Sequence, residues 1–174
     1  MYGRDPGSQK QILNFFKRLF SSSNLELQIN DGGRSAAGYK GKAGDCVVRS
    51  IAIVSGLSYK KIYEDLYKAN EEFRTTSRTK LAKSLKQKND SPRLGTHRVV
   101  VKKYLEKLGW KWTPTMFIGQ GCKVHLKKNE LPSGTLIVSC SKHITVVKDG
   151  ILHDTYDCSR RGTRCVYGYW TKPN

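Results

Sequence analysis

The sequence predicts an α+β domain, and three observations carry that prediction. From Cys46 to Leu108 the apolar residues recur every three or four positions, the spacing of helices with one buried face. Beyond Trp110 the pattern changes to short, strand-like apolar runs. Between two of those runs stands Asp149-Gly150, a two-residue hairpin turn in which both positions take positive φ. Helices first and a C-terminal antiparallel sheet second is the α+β order.

The elements follow along the chain. Ile12, Phe15, Phe16, Leu19 and Phe20 share a helical face, with Lys10, Lys17 and Arg18 elsewhere on the turn. This is a short amphipathic basic helix that either packs on the domain or serves as a lipid- or partner-binding arm. Ser21 to Ser23 and Asp31-Gly32-Gly33-Arg34-Ser35 read as loops, so residues 1–35 are assigned to an N-terminal arm and residues 36–174 to the domain.

Gly44-Asp45-Cys46 opens a helix with Val47, Val48, Ile51, Ala52 and Val54 buried, ending at Gly56. Asp45 is the candidate N-cap, which leaves Cys46 in the first turn. Ser58 starts a second helix carrying Ile62, Tyr63, Leu66 and Tyr67. The stretch from Arg74 to Lys111 holds twelve basic residues, with Asp90 and Glu106 the only acids; its first part is expected to be an exposed loop or weak helix. Thr96 begins a clearer helix through Val99, Val100, Tyr104, Leu105 and Leu108, closed by Gly109. Strands are expected at Lys111 to Thr113, Lys123 to Leu126, Thr135 to Cys140, His143 to Lys148, Ile151 to Tyr156 and Arg164 to Trp170.

A chain of 174 residues with 37% hydrophobic content suits one domain with its own core. The run from Ile12 to Phe20 is too short and too charged to span a bilayer, so no transmembrane segment is expected. The five cysteines form an odd set without a CxxC pair, which predicts reduced thiols and a cytoplasmic protein. A net charge of +18 draws anions: nucleic acid, acidic protein or anionic lipid. No Walker loop, dinucleotide fingerprint or paired zinc-finger spacing occurs, and no cofactor is expected.

Chemistry starts from the thiol. A Cys in the first turn of a helix meets the positive end of the helix dipole and unpaired N–H groups, both of which favour thiolate. That singles out Cys46; the other four cysteines lie in expected strands or loops, as small hydrophobes or ordinary thiols. The hairpin supplies a base. With Asp149-Gly150 as the turn, Lys148 pairs with Ile151, Val147 with Leu152, Thr145 with Asp154 and His143 with Tyr156. His143 and Asp154 then share a face as diagonal neighbours, roughly 7 Å apart at the backbone. A bulge would exchange the faces, so Asp157 is the alternative acid. Thiol, imidazole and carboxylate in that relation follow triad logic, in which the base handles the thiol proton and the acid fixes the ring.

Taken together, Gly44-Asp45-Cys46 at a helix start, His143 at a strand start and an Asp one hairpin later resemble the papain-like cysteine peptidase superfamily. The closer similarity is to small uncharacterised phage and bacterial proteins sharing strings such as GDCVVRSIAI, LEKLGWKWTPTM, KHITVVKDGILHDTYD and RCVYGYW, over about residues 36 to 170. The resemblance implies a papain-like fold and a cysteine hydrolase or peptidase acting on a protein or peptide substrate. Cys46 would be the nucleophile, His143 the general base, and Asp154 or Asp157 the orienting acid. Family members carry an oxyanion-binding Gln six residues before the Cys; here that position is Lys40, the oxyanion candidate, with the Cys46 N–H as the second donor.

Other readings compete with each feature. Cys140, His143, His153 and Cys158 are zinc-ligand types, but the odd offset between Cys140 and His143 sets them on opposite faces unless a bend intervenes, and the same parity separates His143 from His153, so no metal is expected. His97 and His125 read as surface or packing residues, and Gln120-Gly121-Cys122 as a turn. Trp110 and Trp112 either pack or stack a base. The basic stretch, through Arg74, Arg78, Lys80 and Lys83, is either a solvated face or an anion-binding surface. The alternative function is therefore a catalytically silent papain-like scaffold that binds nucleic acid or an acidic protein through residues 74–111.

Overall fold

The computed structural model describes residues 24–85 and 89–173. The expected N-terminal helix of residues 9–20 lies outside the described residues. Helices and a mixed sheet form an α+β arrangement: β1 (Glu26–Ile29), α1 (Cys46–Ser55), α2 (Tyr59–Thr76), α3 (Lys80–Leu85), a 3-10 turn (Pro92–Leu94), α4 (Arg98–Lys107), β2 (Lys111–Pro114), β3 (Thr135–Cys140), β4 (His143–Lys148), β5 (Ile151–Asp154) and β6 (Val166–Thr171). The six strands lie in the order β1-β5-β4-β3-β6-β2.

Two expectations change here. The assigned arm is too long, because Glu26–Ile29 pairs with Ile151–Asp154 and Leu25 is buried beside the sheet. Leu25 and Glu26–Ile29 are therefore part of the folded sheet, ahead of the expected boundary at 36. That added strand runs parallel to β5, so the sheet is mixed rather than wholly antiparallel. A four-residue edge strand with an exposed Ile29 carries too little alternation to be read from sequence.

The hairpin forms as expected. Asp149 and Gly150 have φ of 48° and 80°, and Lys148, Val147 and Val146 pair with Ile151, Leu152 and His153. Alternation splits the core in two. Ile137, Ile144 and Trp170 face α1, α2 and α4, meeting Val48, Ile51, Ile62, Leu66, Val101 and Leu105. Leu136, Val138, Val147, Leu152 and Val166 pack on the other face beneath Leu25, Leu126 and Cys158.

Ser58 caps α2 through its hydroxyl, which accepts from the Lys61 N–H, and Gly56 ends α1 with φ of 71°. Trp110 is buried and Trp112 packs on Trp170 across Gly168, where a Cβ would stand 2.3 Å from the Trp112 ring. Both tryptophans are packing residues. His97 accepts from the Val99 N–H and stacks on Phe73, while His125 bonds Glu130. The expected strand at 123–126 is reduced to a single bridge between His125 and Cys165. Beside it Cys122 is bonded to Cys165, so the expectation of five reduced thiols holds only for Cys46, Cys140 and Cys158.

Candidate active site

Helix α1 lies on β4 and is tied to it at two points. Ser50 Oγ donates to the Ile144 carbonyl at 3.2 Å, and Lys148 Nζ donates to the Ile53 carbonyl at 3.2 Å. Those ties set the first residue of the helix, Cys46, beside the first residue of the strand, His143. The two side chains line one cleft and each shifts the titration of the other.

His143 Nε2 lies 2.7 Å from Asp154 Oδ2, and both residues are buried. The shared face inferred from the hairpin register is thus realised, although β5 ends at Asp154 instead of continuing to Tyr156. Asp154 Oδ1 accepts the Thr155 N–H at 2.7 Å, which fixes the carboxylate plane. Asp157, the alternative acid, accepts the Ser159 N–H at 2.8 Å and serves its own loop. The Tyr156 ring covers the imidazole at 5.5 Å.

The electrostatics of the three groups agree in direction. Burial alone would raise the Cys46 thiol, but the His143 hydrogen bond and charge, the Ile144 backbone and the Arg49 charge together bring it below its ordinary value. Burial likewise opposes charge on His143; hydrogen bonds with Asp154, Cys158 and Cys46 override it and push the imidazole up to about 12. Asp154 is held below the usual carboxylate range, because bonds from His143, Thr145 and Thr155 outweigh its burial. Relative to the free groups, each shift is toward the charged form: thiolate, imidazolium and carboxylate.

Sequence reasoning missed the support beneath. Asp45 occupies the N-cap position of α1 but makes no capping bond. Its carboxylate, fully buried, instead takes Arg34 Nε at 2.7 Å, the Tyr59 hydroxyl at 2.6 Å and Arg49 Nη1 at 3.2 Å. Arg49 Nη2 reaches Asp154 Oδ1 at 3.7 Å, so one guanidinium spans both buried acids. Arg34 Nη2 also donates to the carbonyls of Lys40 and Gly41, and Arg93 Nη2 to that of Lys40. The loop entering α1 is held by its carbonyls. Gly32 makes this possible: at φ of 65° it sits where a Cβ would stand 2.7 Å from the Arg49 carbonyl. The Asp45 to Arg49 spacing of four on a helix was the one local signal for this network.

Lys40 itself is exposed and contributes its carbonyl, while its neighbour Lys42 lines the cleft. That cleft, about 580 Å³, opens over Cys46 and His143 and is bordered by Gly41 to Gly44, Lys142, Thr155 and Tyr156. Arg74, expected on the anion-binding surface, forms a two-pronged pair with Asp90, its Nη2 at 2.7 Å from Oδ2. Arg78, Lys80 and Lys83 remain exposed.

The bend that would bring Cys140 and His143 onto one face is present. Ser141-Lys142 turns the chain, with Lys142 at φ of 54°, so Cys140 and His143 are direct cross-strand partners. His143, Asp154 and Cys158 place donor atoms within 4.8 Å of one another, and these three could hold a metal. His153 pairs with Val146 and stands outside that group. Arg164 steadies Cys158 and the turn together, donating to the carbonyls of Cys158 at 3.1 Å and Ser141 at 2.7 Å.

No protein-family model, curated protein or solved structure matches the chain.

Proposed function

We propose that the chain is a papain-like thiol hydrolase or acyltransferase acting on an amide or related acyl bond, with Cys46 as nucleophile, His143 as proton carrier and Asp154 as its orienting acid. One observation carries the reading: a helix-start thiol, lowered by an adjacent imidazolium, whose ring is held from behind by a buried carboxylate at 2.7 Å. A thiolate so placed attacks an acyl carbon; the C–S bond forms, and the carbonyl oxygen takes up charge near the uncapped N–H of Cys46. His143 gives its proton to the leaving amine as the C–N bond breaks. Water, or an acceptor amine, then loses a proton to His143, attacks the thioester and releases the thiolate.

The exposed position of Lys40 and its use through the carbonyl favour backbone N–H groups over its ammonium as oxyanion donors. The test uses a thiol-directed acyl probe. Wild-type protein is expected to label at Cys46, Cys46→Ala to lose labelling with the fold kept, and His143→Ala to label at least 100-fold more slowly at neutral pH, the usual lower range for removing a general base. Full labelling of Cys46→Ala refutes the reading. A second reading, an anion-binding face at Arg78, Lys80 and Lys83, is favoured by their exposure without an acidic partner among the described residues. Salt-dependent nucleic-acid binding that survives Cys46→Ala and fails on neutralising those three would support it.

A further inference from the structure

The cleft over Cys46 has an unusual lining: Arg34, Lys42, Arg49 and Lys142 border it, and no Asp or Glu does. The four cations divide into two kinds. Arg34 and Arg49 are nearly buried and already serve the carboxylates of Asp45 and Asp154 below the cleft floor. Lys42 and Lys142 are exposed and have no acidic partner among the described residues. Inside the cleft the charges of the imidazolium and thiolate cancel, as do those of the two guanidiniums and the two buried acids. What the cleft shows a substrate is therefore the charge of two free ammonium groups.

Their origins matter. Lys42 comes from the loop that leads into the nucleophile helix, four residues before Cys46; Lys142 comes from the β3–β4 turn, directly before His143. The positive φ of Lys142 is uncommon for a residue with a side chain and stands at the point where the chain turns back beside the cleft. A chain lying across Cys46 and His143 enters a cleft to which each of these two segments contributes a cation.

We infer that the cleft selects acidic polypeptide, with Asp or Glu side chains flanking the reacting acyl group and engaged by Lys42 and Lys142. The inference rests on the thiol-hydrolase reading above. Acyl chemistry is what separates acidic peptide from nucleic acid, whose strand offers no acyl carbon in its backbone. A field of one sign in a walled cleft raises the local concentration of such a substrate and its on-rate, and added salt weakens it.

The experiment uses peptidyl acyloxymethyl ketones that differ only in flanking residues, Glu, Gln or Lys, with labelling followed by mass. The Glu probe is expected to label Cys46 about tenfold faster than the Gln probe at low salt, and the Lys probe more slowly than either. Lys42→Glu with Lys142→Glu should reverse that order. The control Lys102→Glu with Lys103→Glu, on α4 away from the cleft, keeps it. Equal rates for all three probes at Cys46 overturn the inference and leave the hydrolase reading standing. A Glu preference that survives reversal of both cleft lysines also overturns it. If no probe labels Cys46, the hydrolase reading fails and the inference with it. An oligonucleotide that blocks the Gln probe, with no Glu preference present, assigns the cleft to nucleic acid and overturns the proposal.

Discussion

Replacing Asp154 by Asn tests whether the buried carboxylate governs the thiol through the imidazole. The variant keeps the side-chain oxygen that accepts the Thr155 N–H and keeps the shape that fills the site, so the fold should survive. What it loses is the charge behind the ring at 2.7 Å. A hydrogen bond to a charged group contributes about 1.5–3 kcal/mol, and about 1.4 kcal/mol equals one pH unit, so His143 should fall by roughly one to two units from its raised position. The ring stays charged where the thiol titrates, so what the variant takes from Cys46 is an imidazolium held in place, and the thiol should move upward.

The assay is the rate of Cys46 alkylation by iodoacetamide against pH, with the site identified by mass spectrometry. Wild-type reactivity should have its midpoint below the ordinary thiol value of about 8.5, and Asp154→Asn should move that midpoint upward. Stability has its own sign. Asp154 is depressed in the fold, so its contribution is present above its unfolded value of about 3.9 and is lost as pH falls through the lower folded value. His143 is raised, so its contribution is whole below about 6.5 and is lost as pH climbs toward about 12. The variant should flatten the acid limb of a urea-midpoint profile. Identical alkylation midpoints in two folded proteins would refute the argument.

Asp45→Asn removes the charge that Arg34 and Arg49 share and should cost about 3–5 kcal/mol in urea unfolding, since it leaves two nearly buried guanidiniums short of their acid; a cost below about 1 kcal/mol would show the network to be dispensable. Gly32→Ala combines a left-handed backbone with a Cβ 2.7 Å from the Arg49 carbonyl and should destabilise by about 2 kcal/mol or more; thermal unfolding at wild-type temperature would contradict this. Reducing Cys122–Cys165, which closes 43 residues, should cost up to about 4 kcal/mol and lower Tm by roughly 10 °C. A Tm indifferent to reductant would count against that bond.

The parts legible in the sequence were those with short-range causes. Asp149-Gly150 dictates a hairpin through its φ requirement, and the hairpin dictates a register, so the sequence alone sets His143 and Asp154 on one face. Ser58, Gly56 and the three-and-four spacing of Ile62 and Leu66 are equally local. The misses have long-range causes. Nothing near Glu26 announces that it will lie parallel to Ile151, and nothing near Arg34, in a Gly-rich stretch, announces a partner eleven residues on. The parity of Cys140 and His143 hung on whether a bend intervenes, and the two residues between the strands, Ser141-Lys142, carry no strong turn signal of their own.

The deepest of these misses concerns Asp45, and its misreading is instructive. A carboxylate at an N-cap normally turns back onto the first N–H groups, worth about 1 kcal/mol. Here that bond is forgone, and the carboxylate is turned instead toward Arg34, Arg49 and Tyr59. Had it capped α1, a negative charge would sit on the same N–H groups that favour a Cys46 thiolate, and like charges at that range disfavour each other. On the reading proposed above, giving up the cap leaves those groups for the thiolate and the oxyanion. The buried ion pairs then offset the lost capping energy. The same Arg49 that completes the Asp45 network reaches Asp154 at 3.7 Å, so the support of α1 and the support of His143 are one electrostatic structure. A residue that sequence rules assign to helix initiation thus acts at the site by leaving that role empty.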